Sequence, residues 1–325
     1  MRKSIVLSAI SIMALAMAPA LGQAAADAYP VRPIHLVVPY APGGSTDVLA
    51  RLVAQEMSKR LSQSVVVQNR SGAGTIIGTG YVSKAAADGY TLLMGVNTSI
   101  SSNPLLFKKL PYKVDDFRAV ALIGLMPMVL SVSKNNPANS VQELVAASAS
   151  KKGGLSFATL GTGSSVHLMA ELIASKTGMS ITSIPYPGSG PALNALIAAD
   201  VDLYGDALAT SLPLIKGNRI KPIAISSKQR SALLPEVPTF EEAGVKDGTI
   251  HVWFGVMVPK DTPDNIVKTL NTAINDSIQS PELQSRLKAE GTLTESLSPG
   301  QFQAVIDRET EAWARIIKSS NIQLD

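Results

Sequence analysis

From Tyr29 onward the chain alternates short apolar runs of strand length with amphipathic stretches of helical period, and this alternation most constrains its fold. Residues 34–38 read as a first strand and residues 41–45 as a loop. A helix follows that places Leu49, Leu52, Val53 and Met57 on one face. Residues 65–67 and 91–94 are further predicted strands, separated by a glycine-rich run at 72–80. Alternation of this kind predicts an α/β protein with mainly parallel sheets, because a parallel neighbour is reached through a crossover, usually a helix. A chain of 325 residues has room for two such units, and 46% hydrophobic residues can fill both cores.

The second unit starts near Leu122, with predicted strands at 127–132, 155–158, 201–204 and 222–226. Ser140 and Glu143 form a capping box ahead of a helix, and Gly178 is placed to close the next one. Pro191 opens a helix through Leu193, Leu196 and Ile197. Residues 252–258 are again apolar, and only helices follow, with Pro263, Pro281 and Pro299 at first helical positions behind Thr262, Ser280 and Ser298. In the last helix Phe302, Val305, Ile306, Trp313, Ile316 and Ile317 share a face. Helices without a sheet of their own are expected to pack back on the first unit. The predicted organisation is therefore discontinuous: residues 27–121 with 252–325 form lobe 1, and residues 122–251 form lobe 2.

Residues 1–26 read as a signal peptide. Arg2 and Lys3 precede a short apolar run at 5–16, and Ala24, Ala25 and Ala26 offer a cleavage site before Asp27. The run is shorter than a membrane span, which takes about 20 apolar residues. The sequence contains no cysteine, so a lipid-anchored form, disulfides, thiolate metal sites and cysteine nucleophiles are excluded together. The expected product is a free periplasmic monomer. Losing Arg2 and Lys3 reduces the formal net charge from +4 to +2, and no basic stripe suggests a nucleic-acid partner. His35, His167 and His251 are the only imidazoles, and no metal or cofactor is expected.

Two strand-to-helix turns carry the candidate chemistry. The first contains Tyr40, Ala41, Gly43, Gly44, Ser45, Thr46 and Asp47; the second contains Gly161, Thr162, Gly163, Ser164 and Ser165, with His167 just inside its helix. Glycines let backbone approach a ligand, hydroxyls donate, and each helix start presents unpaired N–H groups and a positive dipole end. Neither turn holds lysine or arginine, so an anion would be held by neutral donors and dipoles. Asp47 also suits a helix first turn, and a neutral His167 could donate to ligand or loop. Asp206 follows a predicted strand, where it could accept from a ligand amine or hydroxyl or cap the next helix; the sequence leaves both open. The run at 72–78 approaches a dinucleotide fingerprint, but no acid follows strand 91–94. No hydrolase elbow, zinc pair or phosphate loop is present, and Ser164, His167 and Asp206 do not have the spacing that defines a triad.

Taken in order, these motifs resemble the exported receptors of the tripartite tricarboxylate transporter system, the Bug family of solute-binding proteins. The resemblance runs through Tyr29-Pro30, the segment 37–47 with Arg51, Asn69-Arg70 and the run 72–78. It continues through segment 87–93, the turn 161–164 with His167, Pro185-Tyr186, segment 188–192 and Trp253-Phe254-Gly255. It implies a two-lobed, flytrap-like periplasmic-binding-protein fold of type II, with the two turns clamping a ligand carboxylate and Asp206 near its distal end. It also implies ligands that are di- or tricarboxylates, acidic amino acids or aromatic acids, delivered to membrane subunits of a transporter. A sensory receptor would use the same pocket, whereas an exported nicotinamide-dependent oxidoreductase would need the missing acid. Three departures from the family pattern, Gly205, Pro187 and Ala199-Asp200, are expected around the distal end of the pocket.

Overall fold

The computed structural model describes residues 29–319; the predicted export signal lies outside the described residues. The chain begins with β1 (Ile34–Val38), α1 (Ser45–Leu61), β2 (Val65–Asn69), α2 (Ile76–Val82) and β3 (Thr91–Val96). A π-helical turn, Thr98–Ser102, leads into α3 (Asn103–Leu106) and then the long strand β4 (Phe117–Ser133). Next come α4 (Val141–Ser150), β5 (Leu155–Thr159), α5 (Ser165–Thr177), β6 (Ile181–Pro185) and α6 (Ser189–Ala198). They are followed by β7 (Leu203–Ala207), α7 (Leu208–Lys216), β8 (Ile220–Ile225) and β9 (His251–Pro259). Helices α8 (Asp264–Ile278), α9 (Pro281–Ala289) and α10 (Pro299–Ser319) complete the fold.

The result is an α/β protein with one mixed sheet in the order β2-β1-β3-β9-β4-β7-β5-β6, with β8 paired to β4. Two parallel sets lie within it: β1 between β2 and β3, and β5 between β6 and β7. They are joined by antiparallel strands. The first part of β4 pairs with β9, and its last residues pair with β7 on one edge and β8 on the other. Only residues 127–132 of β4 are legible as a strand, because Gly124 and Pro127 interrupt the pattern. In the structure both are absorbed, with Pro127 opposite His251 in the ladder.

Both faces of the first set are covered, and alternate residues go to different cores. Leu36, Val38, Leu92 and Met94 pack with α1 and α8, while Val37 and Leu93 pack with Trp253 and Phe302 on the other face. A separate core forms around β5, β7, α5 and α6, including Phe157, Leu168, Leu196 and Leu203. Helices α8 and α9 contribute Leu270, Ile274 and Leu287 to the core around β1 and β3. The last helix differs from expectation: α10 places Phe302 and Ile306 against β3 and β9, but Trp313, Ile316 and Ile317 in the core around β5. Its apolar face is continuous, so it spans both cores.

Caps follow the sequence closely. Ser140 accepts from the Glu143 N–H, and the Glu143 carboxylate accepts from Asn139 at 2.6 Å, one residue earlier than a standard box. Gly178 closes α5 at φ 74°. Pro263 is the N-cap of α8 and not its first helical residue, and Thr262 bonds back to Pro259 instead. Strand β6 is invisible in the apolar pattern because, as an edge strand, it buries no residue fully.

Candidate functional site

A cavity of about 360 Å³ opens where the carboxyl ends of β1, β5 and β7 meet, the position at which open α/β sheets bind ligands. Three helix N-termini border it: Gly44, Ser45 and Thr46 at α1, Ser164, Ser165 and Val166 at α5, and Gly188 and Ser189 at α6. Val96, Met128, Val252 and Phe254 form an apolar wall.

In the first turn Gly43 has φ 90°, a conformation that favours glycine. Its N–H donates to Asp47 Oδ2 at 3.0 Å. Arg51 donates to both oxygens of Asp47, at 3.1 and 2.9 Å, and Asn69 Nδ2 donates to Oδ1 at 2.9 Å. Burial works against this charge, but the hydrogen bonds from Arg51, Gly43 and Asn69 outweigh it and hold the carboxyl below its ordinary value. Gly163 in the second turn has φ 81°, and its N–H donates to His167 Nδ1 at 3.2 Å. Ser164 caps α5 by accepting from the His167 N–H at 3.2 Å and donates its own hydroxyl to Gly161 O at 2.7 Å. Burial lowers the His167 pKa, which keeps the ring neutral. Among the described residues, no acceptor faces the N–H groups of Ser45, Thr46, Ser165 and Val166. All four residues line the cavity.

Asp206 sits on β7, 4% exposed and facing the cavity. Its Oδ1 accepts from the Ala207 N–H at 2.8 Å, and its buried Oδ2 has no hydrogen-bond partner among the described residues. Burial pushes its carboxyl above the ordinary value. The N-cap of α7 is Ala207, so Asp206 is a wall residue and not a cap. Among the described residues, no lysine, arginine or histidine lines the cavity.

Of the candidates named from sequence, Tyr40, Ala41, Gly43, Gly44, Ser45, Thr46, Ser164, Ser165 and Asp206 line this cavity. Asp47, Gly161, Thr162, Gly163 and His167 do not. Asp47 and His167 turn back onto their own loops, and His167 is an acceptor there and not the donor expected. Ser164 bonds only to backbone, so it is not paired with the His167 imidazole. The sequence does not mark Thr98, Phe254 and residues 188–191 as lining the cavity, although the 188–191 turn repeats the glycine-and-hydroxyl grammar of the other two. Of the three departures, only Pro187 reaches the wall. Gly205 faces the opposite side of β7, where an added Cβ would collide with Met169 Cε. Ala199 closes α6 on its far end at φ 63°. The run at 72–78 supplies nothing to the cavity; Gly78 allows α2 to pack against Pro39 and the Arg70 carbonyl.

Residues 49–322 match the family model described as the tripartite tricarboxylate transporter family receptor, TctC. The chain belongs to the TctC family. Protein BugT of Bordetella pertussis is 39% identical over 309 residues, covering 92% of each chain. The structure of R. palustris Rpa4515 with adipate superposes with a TM-score of 0.87 at 36% identity, covering 91% of this chain and 99% of that one. MatC from Rhodopseudomonas palustris with bound malate gives 0.84 at 32% identity, covering 89% and 100%. Like the periplasmic binding protein BugD, with a TM-score of 0.85, this TctC-family chain has the fold of a periplasmic solute-binding receptor.

Proposed function

We propose that this receptor captures a small organic carboxylate between two lobes, residues 29–121 with 252–319 and residues 122–251, and delivers it to tripartite-type membrane subunits. The observation that carries this reading is the pair of helix starts, α1 and α5, whose amides, unpaired among the described residues, border a cavity that no described lysine, arginine or histidine lines. Such amides and the helix dipoles favour an anion. Charge-assisted hydrogen bonds contribute about 1.5–3 kcal/mol each, so three or four support micromolar binding, about −8 kcal/mol, after ordering costs. The related structures with adipate and malate support the carboxylate class. Asp206, at the other end, accepts a hydrogen bond from the ligand's distal amine or hydroxyl. Native mass spectrometry of the protein purified from its periplasm, followed by calorimetry with adipate, malate and aspartate, tests this. A retained carboxylate or micromolar binding of one of these acids is the expected result; retention of a nucleotide would refute the reading.

A further inference from the structure

The two turns beside the cavity repeat one device with different chemistry. In each, a glycine of positive φ stands two residues before the helix, and the side chain four residues beyond it turns back to accept its N–H. The pairs are Gly43 with Asp47 Oδ2 at 3.0 Å and Gly163 with His167 Nδ1 at 3.2 Å. The intervening residues are alike in backbone, Gly44 at φ −81°, ψ 170° and Ser164 at φ −64°, ψ 153°. Both acceptors are buried, and neither reaches the cavity.

We propose that Asp47 and His167 are matched positioning residues, each tying down its glycine amide so that the amides of Ser45, Thr46, Ser165 and Val166 stay aimed at the ligand carboxylate. This rests on the carboxylate reading above. A helix start has four N–H groups without intrahelical acceptors. A side chain at the third helical position can close the turn by taking the N–H upstream of the cap, which leaves the donors that face the cavity open. On the α1 side the anchor reaches further: Asn69 bridges Asp47 to the Tyr40 carbonyl, at 2.9 and 3.1 Å, which ties the turn to the end of β2. On the α5 side the role sets the tautomer. Nδ1 must be bare to accept, so the ring proton resides on Nε2, which faces Glu171 Oε1 at 3.6 Å. Neither side chain contacts the ligand, so the two are interchangeable in geometry but not in chemistry.

The test uses the isotope-labelled full chain without ligand. The Gly43 and Gly163 amides are expected to exchange about tenfold or more slowly than those of Ser45 and Ser165, which lack acceptors. Long-range nitrogen–proton spectra are expected to show His167 as the Nε2–H tautomer. In His167→Leu and Asp47→Leu the protection of the paired glycine is expected to disappear, and adipate affinity to fall about tenfold or more by calorimetry. His167→Asn sets a carbonyl oxygen where Nδ1 stood, and is expected to restore the Gly163 protection and most of the affinity. An Nδ1–H tautomer, Gly163 exchange as fast as that of Ser165, or no recovery by asparagine in a folded variant overturns the proposal. If the wild-type protein binds none of the acids tried, the carboxylate reading fails, while exchange and tautomer still decide whether these two residues hold the turns.

Discussion

Among the described residues, Asp206 is the only carboxylate on the cavity wall, and no lysine, arginine or histidine lines the wall with it. Its Oδ2 is buried with no hydrogen-bond partner among the described residues, and burial outweighs the hydrogen bonds that would lower its value, a state that favours the neutral acid or a ligand able to donate a hydrogen bond. The folded protein therefore holds this proton into a range where the unfolded chain, at an ordinary pKa of about 3.9, has released it. Stability from this group is fullest below that value and declines as pH rises through the raised folded value. Asp206→Asn is expected to flatten that part of the stability profile in chemical melts. An ammonium-bearing carboxylate such as aspartate favours the ionised form, so its binding is expected to release a proton and strengthen with pH in the same window. Calorimetry in buffers of different ionisation enthalpy checks this; the asparagine variant should show neither effect.

At the scale of the element, the proposed reading makes backbone donors the working parts of α1 and α5, and ordinary side-chain substitution does not remove them. Proline can remove them. Ser45 and Ser165 are the first residues of their helices, where proline is tolerated, and each follows a residue already in the extended conformation that proline requires. Ser45→Pro and Ser165→Pro are each expected to weaken carboxylate binding by about 1.5–3 kcal/mol with little change in helix content. Alanine at the same positions keeps the N–H and is expected to weaken binding less. Calorimetry with circular dichroism on the four variants separates amide from hydroxyl. Equal losses for alanine and proline would assign the contact to the serine hydroxyls.

Across the whole molecule, two features join the parallel sets. Strand β4 runs through both ladders, and α10 lays one end on each core. Thr310 Oγ1 of α10 also bonds Ser101 Oγ at 2.8 Å, within the π-helical turn whose first residue is the cavity residue Thr98. Trp313 is fully buried in the core around β5, far along the chain from the strands it covers. Trp313→Ala is expected to cost about 3–5 kcal/mol in a denaturant melt. Hydrogen exchange should rise first in α5, on which α10 packs, and not in α1.

Much of the fold was legible because it depends on local period. Strands β1, β3 and β5, the caps at Ser140 and Gly178, and the glycine turns ahead of α1 and α5 follow from alternation, capping and positive φ, which neighbouring residues specify among themselves. The residue types around the anion-favouring helix starts were legible for the same reason. The direction of each side chain was not. Asp47 and His167 carry the chemistry of ligand contacts, yet each found a nearer amide in its own turn. Asp206 could have capped a helix, and only the pairing of β7 with β4 and β5 turned it into the cavity. Strand β4 and helix α10 lie across two cores, and which core takes which residue depends on contacts between segments distant in sequence. The sequence by itself determined the elements and the donor-rich turns; tertiary structure decided which donors remain unpaired and face one another, because a hydrogen bond goes to the nearest acceptor in space and not along the chain.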